Sequence, residues 1–187
     1  MFHPAMRHAA AVRAELGIPT VFNLLGPLAH PAHLTRAVIG GSDPSRLELL
    51  AQVMRRRGVE RVWLVHGEDG LDELSTSSDS QIIEVNGNEV THRRLDASEL
   101  GIEVVNSEDI GGGDPTENAR IISDVLAGKP GPEADLIALN AAAGLVVAGL
   151  HEDLGDALQA ARNSITSGAA EHTLTELRRL TAELTAS

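Results

Sequence analysis

The chain has 187 residues, a formal net charge of −12 and 42% apolar residues. That length supports one domain with a sizeable core and is short for two. The charge argues against a broad basic face for nucleic acid, the lack of cysteine excludes disulfides and thiolate chemistry, and no uninterrupted apolar run reaches the roughly 18 residues of a membrane-spanning helix. With one Trp, two Phe and no Tyr, the core has to be built from Leu, Val, Ile and Ala. Lys129 is the only lysine, so a polyanionic substrate would be met by metal ions, by a few arginines or by residues outside the chain. The opening MFHPAMRHAA lacks the apolar centre of a signal peptide. A soluble, cytoplasmic protein is the expectation.

In chain order, PAMRHAAAVRAELG reads as a helix, with Pro4 suited to a first turn and Gly17 to a C-terminal cap. IPTVFNLL is short, apolar and β-branched, ends at Gly26-Pro27, and reads as a buried strand. GPLAHPAHL is loop and TRAVIGG a second strand. SDPSRLELLAQVMRRRG is a helix with Asp43 as N-cap, Pro44 in the first turn and Gly58 past the end. Leu47, Leu50, Ala51 and Met54 keep the spacing of one apolar face. RVWLVHG is a third strand, and strand, helix, strand in this order predicts a crossover and a parallel sheet. SQIIEV and EVTHRRL around Asn86-Gly87-Asn88 predict a hairpin. Asp114-Pro115 with Glu117 marks a helix start resembling a capping box, ADLIALNAAAGLVVAG is a buried helix, and DLGDALQAARNSITSG and EHTLTELRRLTAEL are amphipathic helices. The fold class is α/β: a partial parallel sheet flanked by helices, with a helical C-terminal half.

HGEDGLDELS follows RVWLV directly and places Glu68, Asp69, Asp72 and Glu73 within six positions. Ligands of open parallel sheets sit outside the carboxyl ends of the strands, where this loop falls. Gly67 and Gly70 allow a sharp turn there. Carboxylates this crowded repel one another unless something positive lies among them. One reading is a solvated acidic loop. The other is a hard-cation site in which the adjacent Asp72 and Glu73 share a Mg²⁺ whose shell is completed by water and substrate phosphate. GGGD, Gly111 to Asp114, precedes a helix as a phosphate loop would; Asp114 puts negative charge at that spot and reads as an N-cap instead.

HPAMRHAAAVRAELGIPTVFNLLGPL, followed about 40 residues later by HGEDGLDELS, resembles the anthranilate phosphoribosyltransferase family, and NAAAGLVVAG and SGAAEHTLTEL fit its C-terminal part. The likeness runs over essentially the whole chain. It implies an α/β domain of the nucleoside phosphorylase/phosphoribosyltransferase type. It also implies a reaction in which the amino nitrogen of anthranilate attacks the anomeric carbon of 5-phosphoribosyl 1-pyrophosphate. The products are N-(5-phosphoribosyl)anthranilate, on the route to tryptophan, and pyrophosphate. The resemblance implies Mg²⁺, held in part by Asp72 and Glu73, with Glu68 and Asp69 as solvated neighbours. Arg13 matches the family's anthranilate-contacting arginine, a planar guanidinium suited to a planar carboxylate. His3 and Met6 match the segment lining the anthranilate channel, and Gly26 and Pro27 the turn bordering it; Asn23 reads as a loop-holding residue. No residue is assigned acid–base work. Pyrimidine nucleoside phosphorylases share the fold class, but the long first block and Arg13 argue against them. The charge argues against a non-catalytic relative that binds nucleic acid.

The family's Gly-Thr-Gly-Gly-Asp motif, its Lys-His-Gly-Asn segment, its metal-binding serine and most of the N-terminal helical domain through which it forms homodimers have no counterpart in these residues. The expectation is that residues 1–187 form the C-terminal portion of the glycosyltransferase α/β domain, with an open sheet edge and uncovered apolar surface where upstream strands are lacking. A fragment, a mis-called start and a split enzyme with its upstream half on a separate chain would all read this way. Preorganised electrostatics needs both halves of a site, so the polypeptide alone is expected to have little or no transferase activity.

Overall fold

A computed structural model describes residues 34–186 and, before them, positions 12, 14–18, 25, 26, 28, 30 and 32. Four strands make one sheet in the order β1 (Arg36–Gly40), β2 (Arg61–Gly67), β3 (Ser80–Asn86) and β4 (Glu89–Leu95). β1 and β2 are parallel, with Val38 opposite Trp63. They are joined through a 3-10 turn, Pro44–Arg46, that runs into α1 (Leu47–Arg56). Asp43 caps this turn, its carboxylate accepting from the Ser45 amide at 3.1 Å, and Gly58 follows with a φ of 69°. Leu47, Leu50, Ala51 and Met54 are buried as their spacing predicts. Burying each of the three larger ones contributes about 1.5–3 kcal/mol.

The sheet is mixed rather than parallel throughout. β3 returns antiparallel to β2, with Trp63 opposite Glu84, because a loop without a crossover helix connects them, and only a crossover restores parallel direction. β3 and β4 form the expected hairpin. Asn86 pairs with Glu89 across a turn made of Gly87 and Asn88, and Gly87 takes a φ of 56°.

Both faces of β2 are covered, which explains its continuous apolar run. Val62 and Leu64 pack with Ile39, Ile83, Val85 and the buried face of α1. Trp63 and Val65 pack on the other side with Ile82, Leu74, and residues of α3 (Pro132–Ala148) and α4 (Leu154–Thr166). Ala138, Ala142 and Ala143 of α3 and Ala157 and Ala161 of α4 let these elements approach closely. α2 (Pro115–Leu126) and α5 (Ala169–Ala186) complete the helical half.

Asp114 caps α2 as read, accepting from the amides of Thr116 and Glu117 at 2.8 and 2.9 Å. Glu117 does not close a capping box; its carboxylate pairs with Arg120 at 2.6 Å, one turn on. The Gly113 amide, next to the cap, is not left free for an anion either. The side chain of Asn118 accepts from the Gly113 amide and donates to the Gly113 carbonyl, at 2.8 and 3.1 Å. α5 is amphipathic, but Leu177 and Leu180 on it are exposed.

The strand read in IPTVFNLL falls mostly outside the described residues. Leu25, Gly26 and Leu28 are described, and they are helical rather than extended. Of the first helix, Val12 and Ala14 to Leu16 are helical and Gly17 has a φ of 62°. Among the described residues β1 is a terminal strand, and an apolar cleft of about 180 Å³ lies beside it, lined in part by Leu34, Val38, Ile39 and Met54. Among the same residues, no helix is long and apolar enough to cross a membrane.

Candidate metal and substrate site

The carboxyl ends of β1 and β2 lie side by side, and the segment from Glu68 to Asp79 arches over them. Several contacts hold the two ends together. Gly41 donates its amide to the Val65 carbonyl at 3.0 Å. The buried His66 lies with Nδ1 2.8 Å from the Gly41 carbonyl; a carbonyl only accepts, so Nδ1 carries the proton. The loop then closes on itself through Gly67 N to Leu71 O at 2.9 Å and Gly70 N to Gly67 O at 2.9 Å, with Gly70 at a φ of 98°.

Asp69 organises this loop. Its carboxylate accepts from Ser75 Oγ at 2.6 Å, from Ser77 Oγ, and from the Leu71 amide at 3.2 Å. Burial pulls its carboxyl up, but the hydroxyls of Ser75 and Ser77 and the backbone amides outweigh that and hold it below the usual range. Glu68 and Asp69 are both exposed, as expected of solvated neighbours, but each also has partners. Asp69 is the hub of the turn, and Glu68 lies 3.3 Å from Arg94, which also pairs with Asp79. The cause is the serine-rich sequence after the acids, which supplies donors that the acidic stretch lacks.

Asp72 and Glu73 differ from these two. Asp72 is exposed and Glu73 half-buried, and neither is in an ion pair or side-chain hydrogen bond among the described residues. Burial raises the Glu73 carboxyl above its ordinary value, and the negative charges of Asp72 and Asp69 raise it further. A half-buried carboxylate with acids for neighbours is held toward its neutral form unless a positive charge lies beside it. No described side chain supplies one. An open cavity of about 880 Å³ lies along the loop, between Asp69 and Ser77 on one side and Glu103 to Asp109 on the other. Its lining includes the carboxylates of Asp69, Glu103, Glu108 and Asp109 and no lysine or arginine.

The backbone around the pair is fixed from two directions. A Cβ at Gly40, the last residue of β1, would sit 1.5 Å from the Asp72 carbonyl oxygen, so only glycine lets the loop lie this close to the strand end. On the other side, Asn140 reaches up from the middle of α3. Its side chain accepts from the Leu74 amide and donates to the Leu74 carbonyl, each at 2.9 Å. Reading the sequence for chemistry misses both residues. The signals present are a doubled glycine at a strand end and one amide side chain in the apolar stretch that follows the first turn of a helix.

Residues 1–171 match the model of the glycosyl transferase family, a/b domain. The chain belongs to that family. Within the family, it is similar to anthranilate phosphoribosyltransferases. The one from Thermomicrobium roseum is 46% identical over 180 residues, which are 95% of this chain and 52% of that protein. The crystal structure of the Thermus thermophilus anthranilate phosphoribosyltransferase superposes with a TM-score of 0.85 at 40% identity, covering 93% of this chain and 51% of that one. The Saccharomyces cerevisiae enzyme in complex with PRPP and Mg gives a TM-score of 0.82 at 30% identity, covering 91% of this chain and 49% of that one. This glycosyl transferase family chain thus spans about half the length of the relatives it matches.

Of the residues singled out in the sequence, Asp72 and Glu73 stand together on the loop. Gly26 is exposed, with open space where a Cβ would project. Arg13, His3, Met6, Pro27 and Asn23 lie outside the described residues.

Proposed function

We propose that this chain carries the part of an anthranilate phosphoribosyltransferase site that faces the acceptor and the metal. The site would act in transfer of the phosphoribosyl group from 5-phosphoribosyl 1-pyrophosphate to the amino nitrogen of anthranilate, a cytoplasmic step of tryptophan biosynthesis. The observation that carries this reading is Glu73: a half-buried carboxylate, raised by burial and by the charges of Asp72 and Asp69, on a loop whose open cavity is lined by Asp69 and other acids and by no lysine or arginine.

The residues present fit Mg²⁺. Among the described residues no group of three or more His, Asp or Glu is arranged as a complete metal cage. Mg²⁺ needs none, since it commonly takes one or two carboxylates and fills its shell with water and phosphate oxygens. Asp72 and Glu73 would hold it. When bound it supplies Lewis-acid neutralisation of the diphosphate and orients the leaving group. Arg13 would pair with the anthranilate carboxylate, His3 and Met6 would line the approach, and Gly26 with Pro27 would border it. Asp69 and the Ser75 and Ser77 hydroxyls keep the loop closed while this happens.

The test is a chimera in which these residues replace the matching half of the Thermus thermophilus enzyme, assayed by loss of anthranilate fluorescence with Mg²⁺ and 5-phosphoribosyl 1-pyrophosphate. Turnover should fall on the order of 10²–10³-fold in Asp72→Asn, the loss of several kcal/mol of charge stabilisation. Arg13→Ala should mainly raise the anthranilate KM. Full activity in both variants would overturn the reading. The 187 residues by themselves are expected to show little or no turnover in the same assay.

A further inference from the structure

Glu73 lies between two residues whose backbones are held by groups outside the loop: Asp72, whose carbonyl is in close approach to Gly40, and Leu74, whose amide and carbonyl are both bonded to the Asn140 side chain. Asn140 also donates to the Leu136 carbonyl at 3.1 Å. The amide nitrogen thus spends both hydrogens and the oxygen accepts one, and the side chain has a single orientation. It is anchored in α3, whose Leu139, Ala142 and Ala143 are fully buried. Leu74 itself is fully buried in the same cluster. The carboxylate pair therefore stands on a strut running from the rigid core to the loop, and this strut contains no acid.

We propose that Asn140 is a positioning residue for the Asp72–Glu73 pair. By bracketing Leu74 it holds the two carboxylates where they share one divalent cation, and it touches neither metal nor substrate. This rests on the metal reading of the loop given above. The alternative for an amide inside an apolar helix is simple satisfaction of two buried backbone groups. That would make Asn140 necessary for folding and irrelevant to the cation. The two differ in what they predict once the chain is folded. Groups that orient metal ligands from behind typically change metal affinity 10–100-fold when removed.

The experiment measures Mn²⁺ binding to the 187-residue chain by water-proton relaxation, alongside thermal unfolding and amide hydrogen exchange at Leu74. The variants are Asp72→Asn, Asn140→Ala, Asn140→Asp and the double variant Asp72→Asn/Asn140→Ala. Asn140→Asp keeps an acceptor for the Leu74 amide and loses the donor to its carbonyl, so it serves where the alanine variant fails to fold. Asn140→Ala should unfold cooperatively, exchange the Leu74 amide faster and bind Mn²⁺ roughly 10–100-fold more weakly, with Asn140→Asp between it and the parent. The double variant should bind no more weakly than Asp72→Asn alone, since the two act through one pair. A cooperatively folded Asn140 variant with fast Leu74 exchange and parental Mn²⁺ affinity overturns the positioning role and leaves the metal reading standing. Parental affinity in Asp72→Asn overturns the metal reading itself, and the positioning role with it.

Discussion

At the amino ends of β1 and β2, Arg36 lies 2.8 Å from Glu60 and Arg61 lies 2.7 Å from Glu84, and Arg93 reaches the same Glu84 at 2.9 Å. Arg36 and Arg61 also donate to Val147 O and Val146 O at 2.9 and 2.8 Å. These carbonyls lie in the last turn of α3, where positive charge is favourable, and Val146 O also accepts from the Gly149 amide at 3.0 Å. At the carboxyl ends, Glu73 meets acids and no described cation. Both ends perturb a glutamate, and the direction separates them. Burial alone would raise Glu84, but Trp63 and Arg61, with the charge of Arg93, hold it below the usual range. The indole N–H of Trp63 faces that carboxylate without reaching hydrogen-bond geometry, while Arg93 lies over its ring at 4.6 Å. A carboxylate lowered by the chain's own arginines is structure. One raised, with no partner of its own, is where perturbed groups mark function.

The largest expected effect lies at the paired end. Glu84→Ala leaves Arg61 facing the core without a counter-charge, which should cost about 3 kcal/mol, the low end for a buried pair that loses one partner, because Arg93 can turn to water. Urea denaturation with an unchanged slope measures it. A loss below about 0.5 kcal/mol, the range of an ordinary surface change, would mean the cluster is not what holds that end together.

Two glycines sharpen the contrast. Gly40→Ala drives a methyl into the Asp72 carbonyl, and Gly149→Ala places one 2.9 Å from Arg36 Nη1 at a φ of 79°. Each should destabilise by about 1–3 kcal/mol through overpacking or left-handed strain. Only Gly40→Ala should also weaken Mn²⁺ binding. Equal Mn²⁺ affinity in the two variants would show that the approach of β1 to the loop is packing alone.

Much of this was legible in the sequence where one physical signal dominates. The crossover β1-α1-β2, the Gly87-Asn88 hairpin, and the caps at Asp43 and Asp114 follow from periodicity and turn chemistry, which act over a few residues. The adjacency of Asp72 and Glu73 was visible for the same reason. The roles of Asp69, Gly40 and Asn140 were not, because each depends on residues distant in sequence or on the course of a loop. Asn140 is 66 positions from the backbone it holds, and nothing local to NAAAGLVV points to Leu74. The antiparallel return of β3 was hidden likewise, since a loop rich in Gly, Ser and Asp says that the chain turns and not which way it comes back.

The smallest effect is the most direct comparison of the two ends, and it has a pH dependence with a definite sign. Glu73 holds its proton more tightly in the folded chain than the ordinary value of 4.5. Its contribution to stability is therefore full below about pH 4.5 and is lost as pH rises through the folded value. At pH 7 the ionised side chain is a net cost. Glu84 runs the other way: its contribution is present above the ordinary value and lost as pH falls through its lowered folded value. Glu73→Gln should thus raise the melting temperature at pH 7, by no more than about 1 kcal/mol of stability because the side chain is half in water. The advantage should shrink below pH 4.5, and Mn²⁺ added to the parent should erase it. Destabilisation by Glu73→Gln at pH 7 would mean that Glu73 has a cation partner in the folded chain. The carboxyl ends of the strands would then be closed by the protein itself, as the amino ends are.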